Sequence, residues 1–125
     1  MGKVMVVDDA HADLRLMESM LKTSGHEVVA YGDGECLEDK LASERPDVLL
    51  LDIVMPRRNG YDILRGLRKD ERTRHIPVVL VTCRSGDSDR LWGTRQGADA
   101  YVTKPFTRAE LLTVVGRFTA GGALA

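Results

Sequence analysis

Cysteine is scarce in this chain. Cys36 and Cys83 are the only two; they lie far apart and form no C-x-x-C. Their spacing offers neither a zinc site nor a redox dithiol, and a reduced pair of buried thiols is expected rather than a disulfide. The three histidines, His11, His26 and His75, are equally scattered, so each reads as a solvated or hydrogen-bonded surface residue rather than a metal ligand. An excess of one charge is missing too. Eighteen basic residues stand against nineteen acidic ones, a net charge of −1, which provides no field to draw the protein onto nucleic acid or anionic lipid. Long apolar runs are also absent. The opening MGKVMVVDD holds four apolar residues in a row before two acids, too few for a signal peptide, and no later stretch approaches a membrane span. The expectations are a cytoplasmic protein with no nucleic-acid partner and no membrane insertion. Neither G-x-G-x-x-G nor G-x-x-x-x-G-K-[ST] follows the first apolar run, which disfavours a nucleotide-binding module. Internal repeats, low-complexity segments and linkers are lacking.

What is present fits one domain, because 125 residues suffice for a real core but are short for two. Five short apolar runs recur, KVMVV, EVVAY, DVLLLDIV, IPVVLVT and AYVT, and read as strands. The first, third and fourth are nearly continuous, the habit of parallel strands covered on both faces. Helical spacing fills the gaps. Leu14, Met17 and Leu21 fall at i, i+3, i+7 with Gly25 as a stop; Leu37 pairs with Leu41, and Ile63 with Leu67. Thr107 and Glu110 form a T-x-x-E capping box ahead of the stripe Leu111, Val115, Phe118. The fourth helical segment, Gly86 to Gln96, contains Gly93 and only Leu91 and Trp92 as large apolar residues, so weaker packing is expected. Strand and helix thus alternate five times, which predicts an α/β, open doubly wound (βα)5 fold with right-handed crossovers. Residues 1–119 are expected to form the domain and 120–125 a flexible C-terminal tail.

In such a sheet the carboxyl ends of the strands lie along one edge, where ligands bind. The first strand closes on Asp8 and Asp9, the third on Asp52, the fourth on Thr82, and the fifth on Thr103 and Lys104. Clustered carboxylates repel one another unless a cation compensates. Lys104 supplies part of that charge, and an all-oxygen set with room for water and phosphate favours Mg2+ over Ca2+. Asp52 ends an apolar run just before Met55-Pro56, and a carboxylate there beside a metal can act as a nucleophile toward phosphorus.

The ordered set Asp8-Asp9, LDIVMPRRNG with Asp52, VLVT ending in Thr82, Tyr101, and KPF from Lys104 resembles the receiver domain of bacterial two-component response regulators. The resemblance covers about residues 3 to 119, and its five motifs agree in order and spacing. It implies a flavodoxin-like, five-stranded parallel sheet in the order 2-1-3-4-5. It also implies that Asp52 accepts a phosphoryl group from a sensor histidine kinase or phosphotransfer protein. Asp9 and Asp52 would hold Mg2+ (or Mn2+) with the backbone carbonyl of Val54, and Asp8 would act through a metal-bound water. Lys104 would pair with the phosphoryl group and have a cis bond to Pro105. Thr82 and Tyr101 would form a switch read out to a downstream target at the face of the fourth helix, fifth strand and fifth helix. The stretch LWGTRQGADAYVTKPF is similar to stand-alone receivers of the chemotaxis-like pathway that controls type IV pili and twitching motility.

Some residues depart from the family pattern. Cys83 stands where a smaller residue is usual and would narrow access to the acceptor. Val54 and Arg84 occupy positions that tune phosphoryl lifetime; an apolar Val54 cannot orient an attacking water, so slow self-hydrolysis is expected. Taken singly, Thr82 reads as a strand hydroxyl satisfied by backbone and Tyr101 as a half-buried strand aromatic. Trp92 is either a helix-packing residue or a docking anchor. Arg57-Arg58 and Arg65, Arg68 and Lys69 read as a solvated loop and helix face. Gly60, with Pro56, is expected to shape the turn under the site. Aspartyl-phosphate hydrolases need D-x-D at the nucleophile, and here the second position is Val54. The expected protein is therefore a signalling domain that catalyses only its own phosphorylation and dephosphorylation. Its alternatives are a phosphate sink for a shared kinase or a phosphorylation-independent docking module. No effector domain is expected, so output would pass through a protein partner.

Overall fold

The computed structural model describes residues 2–54, 59–84 and 86–119. Pro56, Arg57-Arg58 and the expected tail at 120–125 lie outside them. The chain order is β1 (Lys3–Val7), α1 (His11–Thr23), β2 (Glu27–Tyr31), α2 (Leu37–Glu44), β3 (Val48–Leu51), α3 (Gly60–Lys69), β4 (Val78–Thr82), α4 (Asp87–Arg95), β5 (Ala100–Thr103) and α5 (Arg108–Gly116). The strands form one parallel sheet, ordered β2-β1-β3-β4-β5, as the alternation and the resemblance predict. The third apolar run yields a strand shorter than its extent, because β3 stops at Leu51 and leaves Asp52 just beyond the ladder.

The period-two alternation of strand side chains divides the core in two. Met5, Val7, Leu49, Leu51, Val78 and Leu80 pack on one face with Leu37 and Leu41 of α2 and Ile63, Leu64 and Leu67 of α3. On the other face Val4, Val6, Leu50, Val79 and Val81 meet Leu14, Met17 and Leu21 of α1 and Leu111 and Val115 of α5. The central strands β1, β3 and β4 are buried almost throughout, whereas the edge strands β2 and β5 are mostly half-buried. Each fully buried aliphatic side chain contributes about 1.5–3 kcal/mol, so the sheet is anchored from both sides. The capping box at Thr107 and Glu110 forms in full. Phe118 lies just past the end of α5 and still packs on the second cluster.

Two expectations need correction, and Gly60 is held by a close approach. Both cysteines are free, but they are exposed rather than buried: Cys36 sits in a left-handed turn ahead of α2, and Cys83 follows the end of β4. The Gly60 N–H donates to the Ile53 carbonyl at 2.9 Å. Gly60 is the first residue of α3, and a Cβ there would lie 2.5 Å from Ile53 Cα and 2.7 Å from the Asp52 carbonyl oxygen, so glycine is required by close backbone approach. Arg68 is not a solvated helix residue. Its guanidinium donates to the carbonyls of Gly97, Arg74 and Ile76 and to the Asp99 carboxylate, which ties α3 to the loops flanking β4 and β5.

Helix α4 is sparsely packed. Its only buried residue is Gly93, whose absent Cβ would meet Leu80 Cδ1 at 2.8 Å; Leu91 and Trp92 are 55% and 46% exposed. Trp92 nevertheless makes an edge-on ring contact with Tyr61 at 6.3 Å, so it packs on one side and faces solvent on the other.

Candidate functional site

Backbone hydrogen bonds place the site residues. One residue beyond β1, the Asp8 N–H donates to the Tyr31 carbonyl at 3.1 Å; one residue beyond β3, the Asp52 N–H donates to Val7 at 3.1 Å; one residue beyond β5, the Lys104 N–H donates to Thr82 at 2.8 Å. The parallel register thus runs past the strand ends and holds three functional side chains over one edge of the sheet. Asp8 is fully buried and Asp52 is 7% exposed, whereas Asp9 faces solvent. Carboxylate oxygens of these three all lie within 4.8 Å of one another.

Buried carboxylates need partners. Asp8 Oδ1 accepts from the Ala10 N–H at 2.8 Å, and Asp52 Oδ1 from the Val54 N–H at 3.1 Å. Lys104 Nζ donates to Asp8 Oδ2 at 2.6 Å, to Asp13 Oδ2 at 2.8 Å and to Asp52 Oδ2 at 3.3 Å. The Lys104–Pro105 bond is cis. Burial acts to lower the lysine pKa, but the bonds to Asp13 and Asp8 and the charge of Asp52 outweigh it and hold the ammonium above its ordinary range. Burial raises the Asp8 carboxyl, against the pull of Lys104 and the Ala10 amide. Three carboxylates thus share one ammonium, and the cluster is electron-rich.

That donor set suits a hard divalent cation. It offers only oxygens, with neither imidazole nor thiolate, and the exposed Asp9 leaves one side open to water and to an incoming ligand. The sequence places Asp8, Asp9, Asp52 and Lys104 together, and the structure brings them together. Thr82 is fully buried at the tip of β4, and its Oγ1 accepts from the Arg84 N–H at 3.4 Å. Tyr101 Oη donates to the Arg84 carbonyl at 2.6 Å, so a single residue bridges the two predicted switch positions. The Tyr101 ring packs on the first core cluster, under the Arg90 guanidinium at 5.0 Å. Val54 is 46% exposed beside the acceptor.

Sequence reasoning misses Asp13, Arg84 as a bridge, and Arg90, which also donates to Thr103 Oγ1 at 2.6 Å. An acid in the first turn of a helix is ordinary, because it complements the helix dipole, and nothing in the spacing of Asp13 distinguishes it. A main-chain bridge such as Arg84 leaves no side-chain signal at all.

Residues 4–116 match the response regulator receiver domain. The chain is 40% identical over 124 residues to Protein PilH of Pseudomonas aeruginosa, covering 97% of this chain and 100% of that protein. It is 39% identical over 118 residues to Response regulator PleD of Caulobacter vibrioides, of which it spans 26%. Among solved structures, the chemotaxis protein CheY4 of Vibrio cholerae superposes with a TM-score of 0.87 at 27% identity, covering 94% of this chain and 98% of the other. The receiver domain of the sensor histidine kinase PA1611 from Pseudomonas aeruginosa superposes with a TM-score of 0.85 at 29% identity, over 94% and 96% of the two chains, and has a magnesium ion coordinated in its active-site cleft.

Proposed function

The chain belongs to the response regulator receiver domain family, and from that membership we propose that Asp52 is the phosphoacceptor of a signalling switch formed by residues 1–119. The observation that carries this reading is the Asp8, Asp9 and Asp52 cluster with the Lys104 ammonium 3.3 Å from Asp52 Oδ2. Asp52 needs no general base because a carboxylate is the nucleophile as it stands. One of its oxygens bonds to phosphorus while the phosphorus–nitrogen bond of a phosphohistidine donor breaks, and the leaving imidazole takes a proton from solvent. The product is an aspartyl phosphate. Lys104 and the Thr82 hydroxyl meet two of the phosphoryl oxygens, so the chain contributes position and charge.

Receiver domains bind Mg2+ in this acidic cleft, and the all-oxygen donor set fits it. In this chain Asp9, Asp52 and the Val54 carbonyl would hold Mg2+ (or Mn2+), with Asp8 acting through water. When bound, the metal neutralises charge between the carboxylates and the phosphoryl oxygens.

The Thr82 hydroxyl, in turning to a phosphoryl oxygen, leaves the Arg84 N–H; Tyr101 is bonded to the carbonyl of that same Arg84. Phosphorylation therefore loosens the residue that holds Tyr101, and the population shifts toward an inward ring. The readout surface is that of α4, β5 and α5, where a cleft of about 490 Å³ lies among Arg90, Tyr101, Thr103, Glu110 and Val114. A downstream target protein binds there, and a sensor histidine kinase or phosphotransfer protein supplies the phosphoryl group. Cytoplasmic residence follows from that donor, and no helix among the described residues is long and apolar enough to cross a membrane. The likeness to PilH over its whole length, with the resemblance of Leu91 to Phe106, supports a place in type IV pilus control.

Intact-mass spectrometry after incubation with Mg2+ and a small phosphodonor tests the reading. The expected result is a gain of one phosphoryl group that is lost with EDTA and in Asp52→Asn. No gain in the wild type would overturn the phosphoacceptor reading.

A further inference from the structure

Asp13 holds Lys104 more closely than the proposed acceptor does, at 2.8 Å against 3.3 Å for Asp52. An ammonium has three N–H donors, and Asp8, Asp13 and Asp52 take all three. Once Asp52 carries a phosphoryl group its carboxylate charge is gone, and the phosphoryl oxygens compete with Asp8 and Asp13 for the ammonium. Asp8 and Asp52 belong to the cation-binding cluster, while Asp13 stands outside it. The side chains of Asp8 and Asp52 are 0% and 8% exposed, against 40% for Asp13. Losing the ammonium strands the buried Asp8 carboxylate without a counter-charge, but leaves the exposed Asp13 hydrated.

We infer that Asp13 is a positioning residue: in the unphosphorylated protein it occupies the third donor of Lys104, and it surrenders that donor when a phosphoryl group arrives on Asp52. The inference rests on the phosphoacceptor reading and deepens it. Asp13 acts as a built-in competitor whose charge draws the ammonium toward α1 and away from the acceptor. It thereby sets how strongly Lys104 favours the phosphorylated state, without touching the reacting atoms.

Beryllofluoride, a mimic of the phosphoryl group, tests this in the full chain by fluorine-19 NMR at saturating Mg2+. With the competitor removed, Asp13→Asn is expected to bind beryllofluoride roughly two- to five-fold more tightly, the range of an exposed ion pair. Asp13→Glu, which retains the carboxylate, should stay near wild type. In a Lys104→Gln background the Asp13→Asn step should have almost no effect, because the coupling runs through the lysine. In metal-free protein the nitrogen-15 resonance of the Lys104 ammonium should move on Asp13→Asn, a readout that does not depend on the Lys104→Gln variant folding. Weaker or unchanged binding in Asp13→Asn, an equal gain in both backgrounds, or an unmoved Lys104 resonance overturns the inference. A wild type that binds no beryllofluoride and takes up no phosphoryl group overturns the phosphoacceptor reading first, and the inference with it.

Discussion

Gly60 shows how one missing side chain can position a reactive one. A Cβ at that position would press on the peptide that joins Asp52 and Ile53, with Ile53 Cα at 2.5 Å and the Asp52 carbonyl oxygen at 2.7 Å, and backbone cannot step aside as a flexible side chain would. Gly60→Ala should therefore destabilise the protein by about 1–3 kcal/mol and, by moving the peptide that carries Asp52, slow phosphoryl uptake as well. Thermal unfolding and the intact-mass assay read the two effects separately; a variant with normal stability and uptake would show that the contact is not tight in solution. Val54 is the other residue whose chemistry is readable singly. Half-exposed and apolar beside the acceptor, it offers water no hydrogen bond, so Val54→Asn should shorten the phosphoryl half-life, and an unchanged half-life would remove that role. Tyr101 carries a titration signature. Burial, with the charges of Tyr61 and Asp89, pushes its phenol up to about 12. A phenol held protonated in the fold contributes stability below its unfolded value near 10, and that contribution is lost as pH rises to about 12. Absorbance at 295 nm should show a late component that Tyr101→Phe deletes. At this scale the sequence is legible where chemistry is rare and opaque where it is common: Asp52 at the end of an apolar run stands out, while Asp13 in a first helical turn does not.

Among elements, α3 and α4 contrast in what holds them. Helix α3 buries Tyr61, Ile63, Leu64 and Leu67 and has an Asn59 side-chain cap, while α4 buries only Gly93 and lacks such a cap. The loss of apolar periodicity over Gly86 to Gln96 makes this visible in the sequence, as do the continuous runs that become β1, β3 and β4. What the sequence hides is the anchoring of α4 by polar contacts from outside it: Tyr61 Oη to the Asp89 carbonyl, and Arg90 to Thr103 and the Tyr101 ring. Such bonds depend on tertiary approach and have no period. Hydrogen exchange should be faster across Asp87–Arg95 than across Gly60–Lys69. Leu67→Ala should cost about 2–5 kcal/mol, and Leu91→Ala less than about 0.5 kcal/mol. Equal protection of the two helices would mean that α4 is held as firmly in solution as α3, despite its sparse packing.

The whole molecule sets its function against its own stability, because the parallel register that brings the strand ends together also gathers the carboxylates of Asp8, Asp9 and Asp52 within 4.8 Å of one another, with Lys104 bonded to only two of them. Without a cation, like charges at this spacing repel, so removing one should relieve the fold. Asp9→Asn takes away the exposed member, which has no bond to Lys104 and the least burial to lose. In metal-free buffer it should unfold at the same temperature as wild type or slightly higher, with a gain of up to about 1 kcal/mol. Mg2+ reverses the order. A ligand that binds only the folded state at ten times its dissociation constant stabilises by about 1.4 kcal/mol, so the wild type should melt a few degrees higher in Mg2+. Asp9→Asn, short of one proposed ligand, should gain less at the same concentration. The diagnostic result is this crossing of the two melting curves between EDTA and Mg2+. If Mg2+ raised both proteins equally, Asp9 would not be a ligand; if Asp9→Asn melted lower in EDTA as well, the acids would be stabilising on their own, and the charge conflict inferred at the sheet edge would be absent.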